Sequence, residues 1–341
     1  MASDGARAVS CAPHHPPPAP RAGPCVKLIY MGTPDFAVPP LDALVAAGYP
    51  PAAVVTGPDK QRGRGQKVSV TAVKAATERH GLPLLQPESV RDPAFAEQVA
   101  ALAPDVIAVV AFRILPPEVY EAARLGAFNL HGSLLPAYRG AAPIHRAVMD
   151  GVAETGVTTF LLQRTVDTGD VLLRRRLPVG PDETTGDLYG RLAALGADAV
   201  VETVRMLEAG DFEPQPQDEA QASAAPKVFP EDGRTDWSRP AAEVHNHVRG
   251  LSPSPAAWTY RGDEQLKLYR SRVEAETGRL GVPGEVIEAG PRLVVAAGEG
   301  AVEITELQRP GKKRMDAAAL LNGYDLAPGD RLTSEPGDPQ R

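Results

Sequence analysis

Val26-Lys27-Leu28-Ile29-Tyr30-Met31-Gly32-Thr33-Pro34-Asp35-Phe36-Ala37 is a short apolar run, a Gly-Thr-Pro turn and the start of an amphipathic segment that continues to Ala47. It predicts strand, turn and helix. The alternation then repeats. Residues 52–56 read as a strand, 70–80 as a helix, 82–85 as a strand and 93–102 as a helix, with further strands over 105–111 and 127–131. Strands alternating with helices imply a parallel-type sheet covered on both faces, a Rossmann-like α/β domain. Active sites of such sheets lie at the carboxyl ends of the strands. The first turn is no dinucleotide fingerprint, because Pro34 and Ala37 stand where Gly-x-Gly-x-x-Gly wants glycine. Proline is a poor choice where a pyrophosphate must approach backbone N–H groups, which counts against a nicotinamide dehydrogenase.

Working outward, the strand over 127–131 runs into Asn129-Leu130-His131-Gly132-Ser133-Leu134-Leu135-Pro136. Asn129 and His131 are two apart, so an extended backbone projects both side chains to one face. An amide N–H and an imidazole N–H can there aim at one developing oxyanion. Asp167, 36 residues after His131, sits in Thr165-Val166-Asp167-Thr168-Gly169-Asp170, which reads as a turn. A carboxylate there can orient the histidine and accept a proton. No serine or cysteine with a nucleophile-elbow pattern accompanies the set, which favours direct acyl transfer over an acyl-enzyme.

With Asn129, the His131-Gly-Ser-Leu-Leu-Pro136 run and Asp167 before a Thr-Gly, the chain resembles the folate-dependent formyltransferase superfamily. The stretches Tyr30–Ala37, Arg139-Gly140-Ala141-Ala142-Pro143-Ile144 and Asp236-Trp237-Ser238 look like its methionyl-tRNA formyltransferase branch, over about residues 26–333. The resemblance implies formyl transfer from 10-formyltetrahydrofolate, as co-substrate, to the α-amino group of initiator methionyl-tRNA in translation initiation. Asn129 and His131 would hold the tetrahedral intermediate, with Asp167 as proton acceptor and orienter. Ser133, Leu134, Leu135 and Pro136 are carried over as folate-binding, and so are Phe112 and Ile114. The stretch 111–116 departs from the family form, being one residue shorter with Arg113 in place of a small residue.

The loop Pro58-Asp59-Lys60-Gln61-Arg62-Gly63-Arg64-Gly65-Gln66-Lys67 is basic and punctuated by glycine. Alone, it reads equally well as a solvated loop. The resemblance makes Lys60, Arg62, Arg64 and Lys67 acceptor-stem contacts, although the family's usual proline is Gln61 here. It likewise implies tRNA contacts by Lys227, Lys267, Lys312, Lys313 and Arg314. Other folate formyltransferases, acting on glycinamide ribonucleotide or amino sugar nucleotides, lack this loop and the Asp-Trp-Ser and Gly-Lys-Lys regions. A tRNA-binding module without catalysis is disfavoured by the complete Asn129, His131 and Asp167 set.

The 341 residues suffice for two domains. We expect a tail over 1–25, a catalytic domain over 26–210, a linker over 211–229, a tRNA-binding domain over 230–333 and a second tail over 334–341. Leu188, Leu192, Leu195, Ala199 and Leu207 recur at helical spacing up to Gly210, a natural cap. Residues 211–226 are rich in Pro, Gln, Ala and Glu without periodicity. A helix over 241–249 precedes short strands over 266–269, 284–287, 293–296 and 302–307. These read as a small β-barrel, and the resemblance makes it OB-like. His245 and His247 share no helical face and are expected at the surface or a helix end rather than on a metal. No metal site is expected anywhere. The net charge of −7 argues mildly against nucleic acid, but local clusters decide. No apolar run reaches the roughly 18–20 residues that span a bilayer. Cys11 and Cys25, both in the N-terminal tail, fit a reducing cytoplasm. A monomer is expected.

Overall fold

The computed structural model describes residues 26–62 and 67–337. The first part of the chain forms β1 (Leu28–Gly32), α1 (Val38–Ala46), β2 (Ala53–Val55), β3 (Lys60–Arg62), β4 (Lys67–Ser69) and α2 (Ala72–Arg79). It continues through β5 (Leu84–Leu85), α3 (Pro93–Ala101), β6 (Val106–Val110), α4 (Pro117–Tyr120), β7 (Gly126–His131) and α5 (Pro143–Met149). It closes with β8 (Glu154–Leu161), β9 (Val171–Pro178) and α6 (Thr185–Ala209). The main sheet runs β5-β2-β1-β6-β7-β8-β9. Its first five strands are parallel, as the alternation predicts. β8 and β9 extend it antiparallel, so the sheet is mixed. β8 carries Thr155, Thr158 and Thr159, all buried, which hides its apolar character.

Burial explains the unbroken apolar runs. In β1, Leu28 and Tyr30 pack on one face with α1 and α6, while Ile29 and Met31 pack on the other with Phe95, Val99 and Ile107. A strand covered on both faces has no polar alternation to show. α6 starts in a capping box between Thr184 and Asp187 and stops at left-handed Gly210. β1 lies between β2 and β6, so the chain leaves the sheet centre in opposite directions there. A crevice at the carboxyl ends of β1 and β6 follows from that reversal.

The second part contains α7 (Ala241–Leu251), β10 (Ala257–Arg261), β11 (Glu264–Ala275), β12 (Val286–Ala289), β13 (Leu293–Ala296), β14 (Ala301–Gln308), β15 (Met315–Asp316) and α8 (Ala317–Leu321). Its antiparallel sheet runs β10-β11-β14-β13-β12, with β15 on β14. The last described segment joins the two edges. Thr333 exchanges backbone bonds with Tyr260 on β10, and Leu332 and Asp330 bond Gly284 and Val286 on the β12 side. Trp237 plugs the core beside Val244, Val248 and Leu251 of α7, its indole N–H donating to Thr259 at 3.0 Å.

Residues 211–226 lack a regular element beyond a short 3-10 turn at Glu219–Gln221, yet they are pinned to the first sheet. Gln215 pairs with Val171 in both directions, and Ala224 bridges Arg139. The two parts also meet directly. Arg249 donates to the carbonyls of Gly180 and Glu183, and Arg270 to both oxygens of Asp187. His245 is 4% exposed, with its ring nitrogens 2.9 Å from Ser271 Oγ and the Pro181 carbonyl. The surface position expected for it is thus corrected: the histidine is packed between the two parts.

Candidate active site

A cleft of about 600 Å³ opens at the carboxyl ends of β1, β6 and β7. Asn129, His131 and Asp167 all line it. β7 is paired on both sides, so Asn129 lies between Val109 and Phe160 in register. Its amide has no partner among the described residues and faces the cleft. His131 is 7% exposed, with its ring edge-on to Phe160 at 6.5 Å. Its Nε2 is 2.8 Å from the Tyr138 carbonyl. A carbonyl only accepts, so Nε2 carries its hydrogen. That leaves Nδ1 facing Asp167, whose Oδ2 is 3.8 Å away.

Asp167 has a left-handed backbone, φ 57. Its Oδ2 accepts the Gly140 N–H at 2.9 Å. Gly140 has φ 127, and a Cβ there would stand 2.6 Å from the Ala225 carbonyl oxygen. Only glycine offers the N–H at that approach, which gives the Arg139-Gly140 pair a physical reason.

Phe112 and Ile114 line the cleft, and Ile114 is 66% exposed at its edge. Arg113 also lines the cleft. Its guanidinium reaches the carbonyls of Pro87 and Glu88 at 2.8 Å and lies 5.3 Å from the Phe112 ring centre. Ser133, Leu134, Leu135 and Pro136 do not line this cleft. Ser133 is fully buried and donates to the Ala137 carbonyl, while Thr158 bridges the Ser133 carbonyl and the Leu135 N–H. The Ser133 hydroxyl and carbonyl and the Leu135 N–H thus hold the loop that brings Tyr138 to His131.

Sequence reasoning missed Phe36, Tyr189, Ile144 and His145, all of which line the cleft. Tyr189 donates to Asp35 at 2.7 Å and packs edge-on to Phe36. Burial, then the bond to Asp35, pushes its hydroxyl pKa well up. It sits on a core-type helix, so periodicity offers no signal for it.

Lys60 and Arg62 lie on β3 and Lys67 on β4, an antiparallel hairpin following the carboxyl end of β2. That end of the sheet is also the cleft's. Arg64 lies outside the described residues. Asp59 anchors the hairpin base by bonding Lys74 and Gln86, and the Lys74 bond holds its carboxyl below the usual range. Lys227 is exposed, its ammonium 5.2 Å from the Phe229 ring centre. Lys267 points outward from β11 between Trp258 and Gln308. Lys312 and Lys313 are exposed in the turn after β14. Lys227, Lys267, Lys312 and Lys313 make no ion pair among the described residues. Arg314 differs: Glu306 engages its guanidinium, which also covers Tyr269 at 4.5 Å.

Two family models match the chain: formyl transferase over residues 26–204, and the formyl transferase C-terminal domain over 227–325. The chain is 47% identical over 309 residues to the methionyl-tRNA formyltransferase of Moorella thermoacetica, covering 90% of this chain and 99% of that protein. It is 48% identical over 312 residues to the enzyme of the same name from Porphyromonas gingivalis, covering 89% and 97%. Among solved structures, an N-formyltransferase from Helicobacter canadensis in complex with folinic acid and dTDP-3-aminofucose aligns with a TM-score of 0.64 at 17% identity, covering 83% of this chain and 99% of that one. HypX from Aquifex aeolicus with tetrahydrofolic acid aligns at 0.57 and 20% identity, covering 87% and 47%. These two likenesses carry the fold alone. With both models matched and both halves covered at nearly half identity, the chain belongs to the formyl transferase family.

Proposed function

We propose that the protein transfers the formyl group of 10-formyltetrahydrofolate to the α-amino group of initiator methionyl-tRNA. The observation that carries this reading is the likeness to methionyl-tRNA formyltransferases, which runs through the cleft and the C-terminal part alike. The cleft suits a folate. Its volume falls within the roughly 300–1,000 Å³ typical of ligand sites. Its walls are largely apolar, and the Asn129 amide and the second Asp167 oxygen are left for a ligand.

The residues divide the chemistry. A free α-amino group has a pKa of about 7.7–8.0 and attacks only when neutral. Asp167 takes its proton, directly or through a water. Asn129 donates to the oxyanion that forms on the formyl carbon. His131 has only Nδ1 to offer, because Nε2–H is committed to Tyr138. With a proton on Nδ1 it donates there to the oxyanion, and the same proton passes to the departing folate nitrogen, leaving the neutral imidazole.

Side-chain and register contacts link the outward lysines of the C-terminal part into a lane. Lys227 covers Phe229, Trp258 bonds the Pro230 carbonyl, Lys267 lies opposite Trp258, and Gln308 joins it to the Lys312 carbonyl. Unpaired cations beside aromatic rings suit a phosphate backbone with bases at hand. Lys60, Arg62, Arg64 and Lys67 address the acceptor stem in this reading, with Arg314 as a support rather than a contact. The protein works in the cytoplasm as a monomer.

The test is formyl transfer from 10-formyltetrahydrofolate to initiator and elongator methionyl-tRNA, wild type beside His131→Ala. Initiator product should fall about 10²–10³-fold or more in the variant. Transfer to glycinamide ribonucleotide or an amino sugar nucleotide instead of tRNA would keep the chemistry and discard the acceptor.

A further inference from the structure

Asp167 rides on the segment between β8 and β9 with φ 57, a region that costs non-glycine residues energy. Such a turn persists only where its surroundings hold it. The hold comes from fifty residues later in the chain. Gln217 Nε2 donates to the Asp167 carbonyl at 3.0 Å and the Gly169 carbonyl at 2.8 Å. Both amide hydrogens are thus spent on carbonyls of the Asp167 turn. Gln217 Oε1 accepts from Arg139 Nε at 3.1 Å and Nη2 at 2.8 Å. Arg139 also donates to both oxygens of Glu219. The next residue, Gly140, supplies the N–H that holds the Asp167 carboxylate. One side chain therefore ties the turn carrying the carboxylate to the loop that orients it.

We propose that Gln217 is a positioning residue for the transfer reaction, locking the Asp167 turn to Arg139 so that the carboxylate stays beside His131 Nδ1. The inference rests on the reading of Asp167 as proton acceptor. The site needs two donors on one side and an acceptor on the other, which a carboxamide provides. Glutamate would set acceptors against two carbonyls. Lysine would leave Arg139 Nε without its acceptor. Asparagine is one methylene short.

The experiment compares steady-state formylation of methionyl-tRNA by wild type, Gln217→Ala, Gln217→Glu, Asp167→Asn and the Gln217→Ala/Asp167→Asn double variant, with melting temperatures alongside. A misplaced catalytic group costs up to about 10²-fold, so Gln217→Ala should lose about 10- to 100-fold in kcat with little change in either KM. Gln217→Glu should lose at least as much. In the Asp167→Asn background, Gln217→Ala should cost less than about 2-fold, because a residue acting through Asp167 has nothing left to position. An equal loss in both backgrounds overturns the proposal, and so does a kcat within about 2-fold of wild type in Gln217→Ala. A loss explained by a matching fall in melting temperature overturns it as well. If Asp167→Asn keeps full activity, the reading of Asp167 fails first and takes this role with it. If Asp167→Asn is inactive and Gln217→Ala is not, only the role of Gln217 fails.

Discussion

The cleft and the outward face of the C-terminal sheet treat charge in opposite ways. In the cleft, His131 and Asp167 are each less than a tenth exposed, and each is held by a backbone group of the 138–140 loop. On the sheet face, Lys267, Lys312 and Lys313 stand outward without an ion pair among the described residues, while Arg270 and Arg314 are taken up by Asp187 and Glu306. Buried groups in a low-dielectric site act over tenths of an ångström and are screened little by salt. Exposed lysines act through a long-range field that salt weakens. The difference teaches that geometry governs the first region and ionic strength the second.

Disturbing the geometry should give the largest effect. In Gly140→Ala, the new Cβ meets the Ala225 carbonyl at a φ that alanine avoids. We expect about a 10²-fold fall in kcat and about 1–3 kcal/mol less stability, checked by formylation kinetics and thermal melting. A variant with wild-type kcat would show that the Gly140 N–H is dispensable to Asp167.

Charge reversal on the sheet face should act on affinity instead. Lys267→Glu and Lys312→Glu should each raise the KM for tRNA severalfold and leave kcat unchanged. Each lost phosphate contact should lower the slope of log K against log salt by about 1. Arg314→Ala should change tRNA affinity less than either, since its charge is already met by Glu306. Salt titrations of tRNA binding separate the three.

The smallest effect should come from pH. Burial lowers the pKa of His145, His245 and His247 below the usual 6.5. The folded state therefore prefers them neutral, and the unfolded chain takes up protons first. Their contribution is complete above about pH 6.5 and is lost as pH falls through the folded values. Melting temperature should be flat above neutrality and fall by about 2–4 °C on acidification, with His245→Gln flattening part of the slope.

Much of the cleft was legible because its logic is local. The two-residue period of a strand puts Asn129 and His131 on one face, and the apolar runs in β1 and β6 announce strands buried on both sides. The cap at Gly210 and the strand over 293–296 are equally local. Other features join residues far apart in sequence, and no period connects them. Tyr189 reaches Asp35 from a helix that reads as core. Ser133 to Pro136 look like a binding wall in a motif, but the bonds of the Ser133 hydroxyl and the Leu135 N–H to Ala137 and Thr158 leave no sign in it. Arg314 counts as a cation until Glu306 appears beside it.

The residue types, their spacing along strands and the resemblance they carry are properties of the chain itself, because backbone geometry turns sequence separation into direction over a few residues. The 3.8 Å approach of Asp167 to His131, the hold of Gln217 on that turn and the joining of the sheet edges by residues 330–333 were decided only by the tertiary structure. Each depends on packing that brings together segments tens of residues apart, and that packing leaves no local mark on the residues it unites.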